Sequence, residues 1–243
     1  MKYIVTGGAG FIGSELCRIL VNSKNHDVLC IDNLSYSSNL NAIKEIKDKK
    51  NFHFKKLDIC DEDLIYDELV NFKPDGIFNL AAQTHVDRSI DSPKEFIINN
   101  INGTFSLLEA IRKYFYKFKR NDENFRLVHI STDEVYGSLQ FDQESSLEND
   151  QYIPSSPYSA SKAASDHLAL SWHATYKLPI IVSNCCNNYG NWQFPEKLIP
   201  RVIYKALKNE PIEVYGNGQN IREWIHVNDH SESLILLMNK GHI

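Results

Sequence analysis

Short apolar runs alternate through most of the chain with stretches in which apolar positions recur every three or four residues. The runs have the length of buried strands, and the periodic stretches have the repeat of packed helices. Strands are predicted at residues 2–6, 26–31, 51–56, 77–80, 125–130 and 179–184. Helices are predicted at residues 11–21, 40–49, 61–72, 93–118 and 158–176. This alternation predicts an α/β fold with a right-handed, doubly wound parallel sheet.

A glycine-rich turn joins the first strand to the first helix. Gly7, Gly10 and Gly13 follow the strand and open the helix. Small residues there let the backbone approach a pyrophosphate, and the helix N-terminus offers it free N–H groups and a positive dipole. Asp32 ends the next strand, where a carboxylate accepts hydrogen bonds from both ribose hydroxyls and repels a 2′-phosphate. The pattern therefore predicts a Rossmann-type domain that binds NAD rather than NADP.

Two adjacent carboxylates, Asp133 and Glu134, follow the strand predicted at residues 125–130. The carboxyl ends of parallel strands are where ligands bind in such sheets. Neighbouring carboxylates repel each other, so their pKa values tend to separate and leave one acid and one base. The same residues also suit the first turn of a helix, where the dipole favours acidic side chains. On this stretch alone both interpretations remain open.

Tyr158 and Lys162 stand four residues apart in a predicted helix and so share one of its faces. The lysine's charge would stabilise a phenolate and could also hold the nicotinamide ribose. A tyrosine paired in this way can take a proton from a sugar hydroxyl while the same carbon is oxidised. The bare spacing also occurs on ordinary helix faces, but here it follows a predicted cofactor fold.

Composition and charge narrow the class of protein further. The chain has 42% hydrophobic and 23% charged residues, as in ordinary soluble domains, and its net charge of −5 argues against nucleic acid or an anionic membrane as the main partner. The five cysteines contain no CxxC pair and accompany no histidine cluster, which indicates reduced thiols and no metal site. No signal peptide pattern and no membrane-length apolar run are present, so we expect a cytoplasmic protein.

Four sequence blocks resemble the dTDP-glucose 4,6-dehydratase family, within the extended short-chain dehydrogenases/reductases. They are LAAQTHVDRS at 80–89, STDEVYG at 131–137, SPYSASKA at 156–163 and FPEKLIP at 194–200. The blocks occur in order and at similar spacing over essentially the whole chain. The resemblance implies NAD-dependent dehydration of dTDP-glucose to dTDP-4-keto-6-deoxyglucose, by C4 oxidation, elimination of water across C5 and C6, and hydride return to C6.

The resemblance also assigns expected roles to residues of this chain. Tyr158 would take the proton of the 4-hydroxyl beside Thr132, Glu134 would remove the C5 proton, and Asp133 would protonate the departing 6-hydroxyl. The expected catalytic residues are Thr132, Asp133, Glu134, Tyr158 and Lys162. The expected cofactor-binding residues are Gly7, Gly10, Phe11, Ile12, Gly13, Asp32, Asn33, Leu34, Ser35, Asp58, Ile59, Leu80, Ala81, Ala82, Thr84, Asn99, Tyr158, Lys162 and Asn188. The expected substrate-binding residues are Thr84, His85, Thr132, Asn187, Lys197, Leu198, Tyr215 and Arg222.

Domain organisation and partners complete the predictions. We expect an NAD-binding domain at 1–190 and, where Pro, Gly and aromatic residues become frequent, the start of a substrate-binding segment at 191–243, apparently truncated. Family resemblance implies a homodimer joined through the helices at 93–118 and 158–176. Gln83 and Thr84 stand where UDP-glucose 4,6-dehydratases commonly have the same pair, so UDP-glucose is the alternative substrate. A non-catalytic NAD-binding module is the alternative of a different class.

Overall fold

A computed structural model describes residues 1–118, 125–214 and 216–242. Its main element is a six-stranded parallel sheet in the order β3-β2-β1-β4-β5-β6. The strands are β1 (Lys2–Thr6), β2 (Asp27–Asp32), β3 (Phe52–Lys56), β4 (Gly76–Asn79), β5 (Arg126–Thr132) and β6 (Ile180–Cys185). The strand order reverses between β1 and β4, which opens a ligand crevice at their carboxyl ends. The doubly wound Rossmann-type sheet predicted from the sequence is confirmed.

Helices cover both faces of this sheet. The helices of the described residues are α1 (Phe11–Asn22), α2 (Glu62–Phe72), α3 (Val86–Asp91), α4 (Pro93–Phe96), α5 (Gly103–Phe118), α6 (Pro157–Tyr176), α7 (Leu198–Leu207) and α8 (Val227–Lys240). Helices α1 and α8 lie on one face and α2, α5 and α6 on the other. Short 3-10 helices occupy Leu40–Ile43 and Asp133–Tyr136, and a π-helical stretch at Ile97–Asn102 joins α4 to α5. Among the helices of the described residues, none combines the length and apolarity needed to cross a membrane.

Alternate side chains of β1 point to opposite faces of the sheet, and each face carries its own core. Tyr3 and Val5 pack with α1 and α8 on one face, while Ile4 packs with α2, α5 and α6 on the other. Side chains of a strand alternate with a period of two, and a parallel sheet is buried on both sides. The apolar runs of β1, β2, β4 and β5 therefore become central strands, whereas β3 lies at the edge of the sheet and exposes polar side chains.

The helix predicted at residues 40–49 is wrong as an α-helix. Only Leu40–Ile43 forms a 3-10 helix, and the turns that follow keep hydrogen bonds between residues three apart, such as Lys49 N–H to the Ile46 carbonyl. The buried residues of this segment are Ala42, Ile43 and Ile46. They form a narrow apolar stripe, whereas a longer α-helix is stabilised by burying a wide apolar face.

A second sheet and two helices follow β6. Asn187–Tyr189 (β7) pairs with Trp224–His226 (β8), and α7 lies between them in the chain. Helix α8 buries Leu234 and Met238 in the core that α1 and the main sheet form. The last helix thus packs against the Rossmann-type sheet, and the predicted division at residue 190 stays a prediction.

Candidate active site

The glycine turn leaves no room for side chains at two of its positions. Gly7 has a φ of +66°, and a Cβ there would lie 2.8 Å from the Ala81 nitrogen. A Cβ on Gly13 would overlap the Gly7 carbonyl oxygen. Gly10 is the N-cap of α1 and supplies no side-chain cap, so the first N–H groups of the helix remain available to an anion.

Replacing Gly13 with alanine is expected to destabilise the fold by about 1–3 kcal/mol and to weaken retention of NAD, because the new methyl group must push two backbone segments apart. Thermal unfolding and the cofactor content of the purified protein measure both effects. Gly10→Ala is the matched comparison, since its Cβ would meet a single atom, the Gly7 carbonyl oxygen, at 3.1 Å. Equal stability and cofactor content of Gly13→Ala and the unmodified protein would contradict the close approach.

Asp32 ends β2 with a carboxylate that three donors hold in place. Its Oδ2 accepts a hydrogen bond from Ala9 N–H at 2.9 Å, and its Oδ1 accepts from Leu34 N–H at 2.8 Å and from the Ser38 hydroxyl at 2.7 Å. The side chain is buried beside the glycine turn. A fixed carboxylate at this position suits two ribose hydroxyls and disfavours a 2′-phosphate.

The neighbouring strand end carries a second fixed carboxylate. Asn33 donates a hydrogen bond to Asp58 Oδ2 at 2.9 Å, and Cys60 N–H donates to Asp58 Oδ1 at 2.9 Å. Burial acts to raise the pKa of Asp58, but these hydrogen bonds outweigh it and lower the pKa. Together with the crowded glycine turn and Asp32, these groups fit the phosphate and adenosine parts of NAD.

The other predicted cofactor-binding residues lie further along the chain. Leu80, Ala81 and Ala82 follow β4, and Asn188 is buried in β7. Asn99 lies in the π-helical stretch, where its amide donates to the Glu95 carbonyl at 2.7 Å. Their contacts with NAD stay predictions.

Asp133, the first residue of the acid pair, directly follows β5. The strand ends two residues beyond the end that was predicted from the sequence. Thr132 is the last residue of β5, and its hydroxyl oxygen accepts a hydrogen bond from Glu134 N–H at 3.3 Å. Asp133 and Glu134 then open the 3-10 helix Asp133–Tyr136, whose Val135 is fully buried. The pair is thus both a helix start and a pair of acids at the ligand edge of the sheet.

Burial raises the pKa of both acids. For Asp133 the hydrogen bond from Thr132 opposes that effect, while for Glu134 the charge of Asp133 adds to it. Lys197 and Arg222 act on Glu134 in the opposite direction and lower its pKa. The two predicted substrate-binding cations therefore lie close enough to the acid pair for their charges to act on Glu134.

Tyr158 and Lys162 lie in the first turns of α6, which starts with a capping box. Ser156 accepts from Ser159 N–H at 3.0 Å, and the Ser159 hydroxyl accepts from Ser156 N–H at 3.0 Å. This cap fixes the start of the helix one residue before Tyr158 with Pro157 at the first helical position. Lys162 is buried and donates a hydrogen bond to the Ile130 carbonyl at 2.7 Å.

Tyr158 faces the acid pair. Burial and then the charge of Glu134 raise its pKa above the ordinary value, while a hydrogen bond with the Thr132 hydroxyl opposes them. The protein alone therefore holds Tyr158 as a phenol, and the hydrogen bond with Thr132 is the influence that favours its proton loss. Four predicted catalytic residues, Thr132, Glu134, Tyr158 and Lys162, thus meet where β5 ends, next to Asp133.

The substrate side of the site brings distant parts of the chain together. Lys197 donates a hydrogen bond to the Thr84 carbonyl at 3.0 Å. Asn187 donates to the Glu223 carbonyl at 3.4 Å, and Leu198 begins α7 with its side chain half exposed. Arg222 is exposed. Tyr215 lies outside the described residues.

His85 has a structural role at the edge of this site. Its Nδ1 caps α3 by accepting from Arg88 N–H at 3.4 Å, and its Nε2 lies 3.7 Å from Glu196 Oε2. Burial lowers the pKa of His85, although Glu196 opposes this. The sequence analysis missed Glu196. Its carboxylate also accepts a hydrogen bond from the Tyr36 hydroxyl at 3.1 Å and forms an ion pair with Arg88 at 3.3 Å. Its position within FPEKLIP beside the predicted Lys197 was the available signal.

The sheet order, the glycine turn and a Tyr–Lys pair at the ligand edge define an extended short-chain dehydrogenase/reductase. The family model described as GDP-mannose 4,6 dehydratase matches residues 4–243. A probable dTDP-glucose 4,6-dehydratase of Sinorhizobium fredii is 50% identical, over 99% of this chain and 69% of the relative. The chain belongs to this family of nucleotide-sugar 4,6-dehydratases, in the branch of the dTDP-glucose enzymes.

Two further comparisons point to the same branch. A dTDP-glucose 4,6-dehydratase of Escherichia coli is 48% identical, over 99% of this chain and 69% of the relative. The crystal structure of a dTDP-glucose 4,6-dehydratase from Streptomyces venezuelae with NAD bound is 39% identical, with a TM-score of 0.91. That comparison covers 100% of this chain and 73% of the crystallised one.

Proposed function

We propose that this protein converts dTDP-glucose to dTDP-4-keto-6-deoxyglucose in an NAD-dependent dehydration, as a hydro-lyase. The observation that carries the proposal is the adjacent Asp133 and Glu134 beside Tyr158, in a chain that is 50% identical to a probable enzyme of this kind. A 4-epimerase needs the tyrosine and a small hydroxyl residue, whereas elimination of water needs an additional acid and base.

Tyr158 serves as the base of the first step. Tyr158 must first lose its own proton, and as a phenolate it accepts the proton of the sugar 4-hydroxyl with the Thr132 hydroxyl beside it. Lys162 lies four residues later on the same helix, and its positive charge would favour that phenolate. NAD supplies the redox chemistry when bound, oxidising C4 and later reducing C6. The resulting 4-ketone makes the C5 proton acidic, which prepares the elimination.

Glu134 and Asp133 carry out the elimination. Glu134 removes the C5 proton, for which its raised pKa makes it a stronger base than an exposed glutamate. Asp133 donates a proton to the leaving 6-hydroxyl, and burial raises its pKa so that it can hold that proton. When hydride returns to C6, Glu134 gives its proton back to C5, so the two adjacent carboxyls act on neighbouring carbons of one sugar.

The remaining predicted residues bind the ligands. Gly7, Gly13 and Asp32 hold the pyrophosphate and adenosine ribose of NAD, supported by the crowding around the turn and the fixed carboxylate. Lys197 and Arg222 bind the charged sugar nucleotide, supported by their effect on Glu134. A planar, permanently charged guanidinium suits a diphosphate.

The assembly and location of the protein are part of the same proposal. We place it in the cytoplasm as a homodimer joined through α5 and α6, with the substrate-binding segment starting after residue 190. Apolar side chains exposed on these helices support the dimer, including Phe105 on α5 and Leu170 on α6. Five free cysteines agree with a reducing compartment.

Parallel assays with dTDP-glucose and UDP-glucose test the substrate. We expect the ratio kcat/KM to favour dTDP-glucose, and the 4-keto product is read from its near-ultraviolet absorbance in alkali. A preference for UDP-glucose would assign the alternative base, for which the Gln83-Thr84 pair is the sequence signal. If neither nucleotide yields a keto product, both dehydratase hypotheses fail and the non-catalytic NAD-binding module is the hypothesis that remains.

A further inference from the structure

A fully buried carboxylate lies on α6 one turn after Lys162. Asp166 has no exposed surface. Its Oδ2 accepts hydrogen bonds from the Ser131 hydroxyl at 2.6 Å, from the Tyr152 hydroxyl at 3.2 Å and from the Asn184 amide at 3.4 Å. These donors come from β5, β6 and the segment before α6, so the carboxylate accepts hydrogen bonds from three parts of the chain.

A chain of side chains from β1 to β5 approaches the other carboxylate oxygen. Thr6 already accepts from Ala81 N–H, so its hydroxyl donates to Asn79 Oδ1 at 2.7 Å. The Asn79 amide then donates to His129 Nδ1 at 3.0 Å. His129 therefore carries its hydrogen on Nε2, which lies 3.3 Å from Asp166 Oδ1, off the line of a straight hydrogen bond.

The direction of these donors fixes the charge states. His129 uses Nδ1 as an acceptor, so its ring is neutral. The Ser131 and Tyr152 hydroxyls and the Asn184 amide direct hydrogens toward Oδ2, while Oδ1 has only His129 Nε2 nearby and makes no hydrogen bond among the described residues. Burial acts to raise the pKa of Asp166, but the hydrogen bonds and nearby charges lower it. Asp166 is therefore a buried anion, and such a charge is retained in a protein only where it is paired and hydrogen-bonded.

Lys162 is also buried and lies four residues earlier on the same helix, where its ammonium donates to the Ile130 carbonyl at 2.7 Å. We propose that Asp166 is the buried counter-ion that keeps Lys162 charged, and that it is thereby a positioning residue for the reaction at Tyr158. It touches neither the reacting atoms nor Tyr158 and acts through Lys162.

The electrostatic effects on these groups agree with the pairing. Burial lowers the pKa of Lys162, and the charge of Asp166 opposes that effect. Burial and then Lys162 lower the pKa of His129, in keeping with a neutral ring. Tyr152 faces Asp166 as a phenol, because burial and that carboxylate raise its pKa.

Replacing Asp166 with Asn keeps the shape and removes the charge. This test rests on the proposed dehydratase activity. Lys162 is then expected to lose its proton at lower pH, so the alkaline limb of kcat/KM moves down by about one unit or more. Tyr152→Phe is the control, because it removes one hydrogen bond and leaves the charge; its alkaline limb should stay in place. An unchanged alkaline limb in Asp166→Asn would overturn the proposal.

A double-mutant cycle tests the pair without any activity. Lys162→Met, Asp166→Asn and the double variant are compared by urea unfolding with NAD content matched. Each single change leaves one buried charge without its partner, whereas the double variant removes both, so we expect the double variant to lose less stability than the sum. If one of the single variants does not fold, recovery of folded protein in the double variant also supports the pairing. Additive losses, or no recovery, would overturn the pairing.

Discussion

The variant Glu134→Gln is expected to oxidise the sugar at C4 but to lose the elimination of water, with product formation reduced about 10²–10⁴-fold. The amide has the size of the carboxylate and cannot take the C5 proton. Because burial and Asp133 raise the pKa of Glu134, the rate of the unmodified protein should fall as pH drops through that raised pKa, where the base becomes protonated. The residual rate of Glu134→Gln should not show this decrease at low pH.

Rapid mixing with dTDP-glucose separates the two steps in this variant. Near-ultraviolet absorbance of the bound cofactor reports C4 oxidation, and the alkali-dependent absorbance of the 4-keto product reports the complete reaction. Glu144→Gln is the matched control, since Glu144 lies on the exposed segment after the acid pair and should leave both signals unchanged. Water loss at a near wild-type rate in Glu134→Gln would remove Glu134 from its proposed role.

The variant Tyr158→Phe is expected to lose the first step itself, by about 10²–10⁴-fold, because it removes the phenol oxygen that is proposed to accept the proton of the sugar 4-hydroxyl. The phenyl ring keeps the edge-to-face contact with Phe96, whose centroid lies 6.3 Å away, so the fold and NAD retention should persist. Neither the cofactor signal nor the product signal should then appear on rapid mixing.

Tyr116→Phe provides the control for this loss, because Tyr116 lies on the exposed side of α5. The two active-site variants are thereby distinguishable: Glu134→Gln gives the cofactor signal alone, and Tyr158→Phe gives neither. A full cofactor signal in Tyr158→Phe would show that another group takes the 4-hydroxyl proton.

The main sheet could be predicted because its signals are local. The central strands β1, β4 and β5 are short runs that are buried along almost their whole length. Asp61 also caps α2 as the sequence indicated, accepting from Leu64 N–H at 3.2 Å. The pairing of β7 with β8 was not predictable from such signals, since three-residue strands far apart in the chain carry no periodicity. Helix α3 was missed for a related reason: it is a short element that ends just before Pro93.

The acid pair and the Tyr158–Lys162 pair could be predicted because motif spacing places each of them on one element. The contacts across elements were not predictable in this way. Asp166 is four residues after Lys162 and shares its helix face, a pattern visible in the sequence. Its buried anionic state, however, depends on donors from β5, β6 and the preceding segment, and only the folded chain assembles these.

Mass analysis of the nucleotide sugar after incubation of the protein with dTDP-glucose tests the central claim most directly. A dehydratase with Asp133 and Glu134 as its elimination pair yields a product lighter by one water, which carries a 4-keto group. A product of unchanged mass with inverted C4 would instead be epimerisation, which uses the tyrosine and not the acid pair. That result, or recovery of unaltered dTDP-glucose, would contradict the function argued from this site.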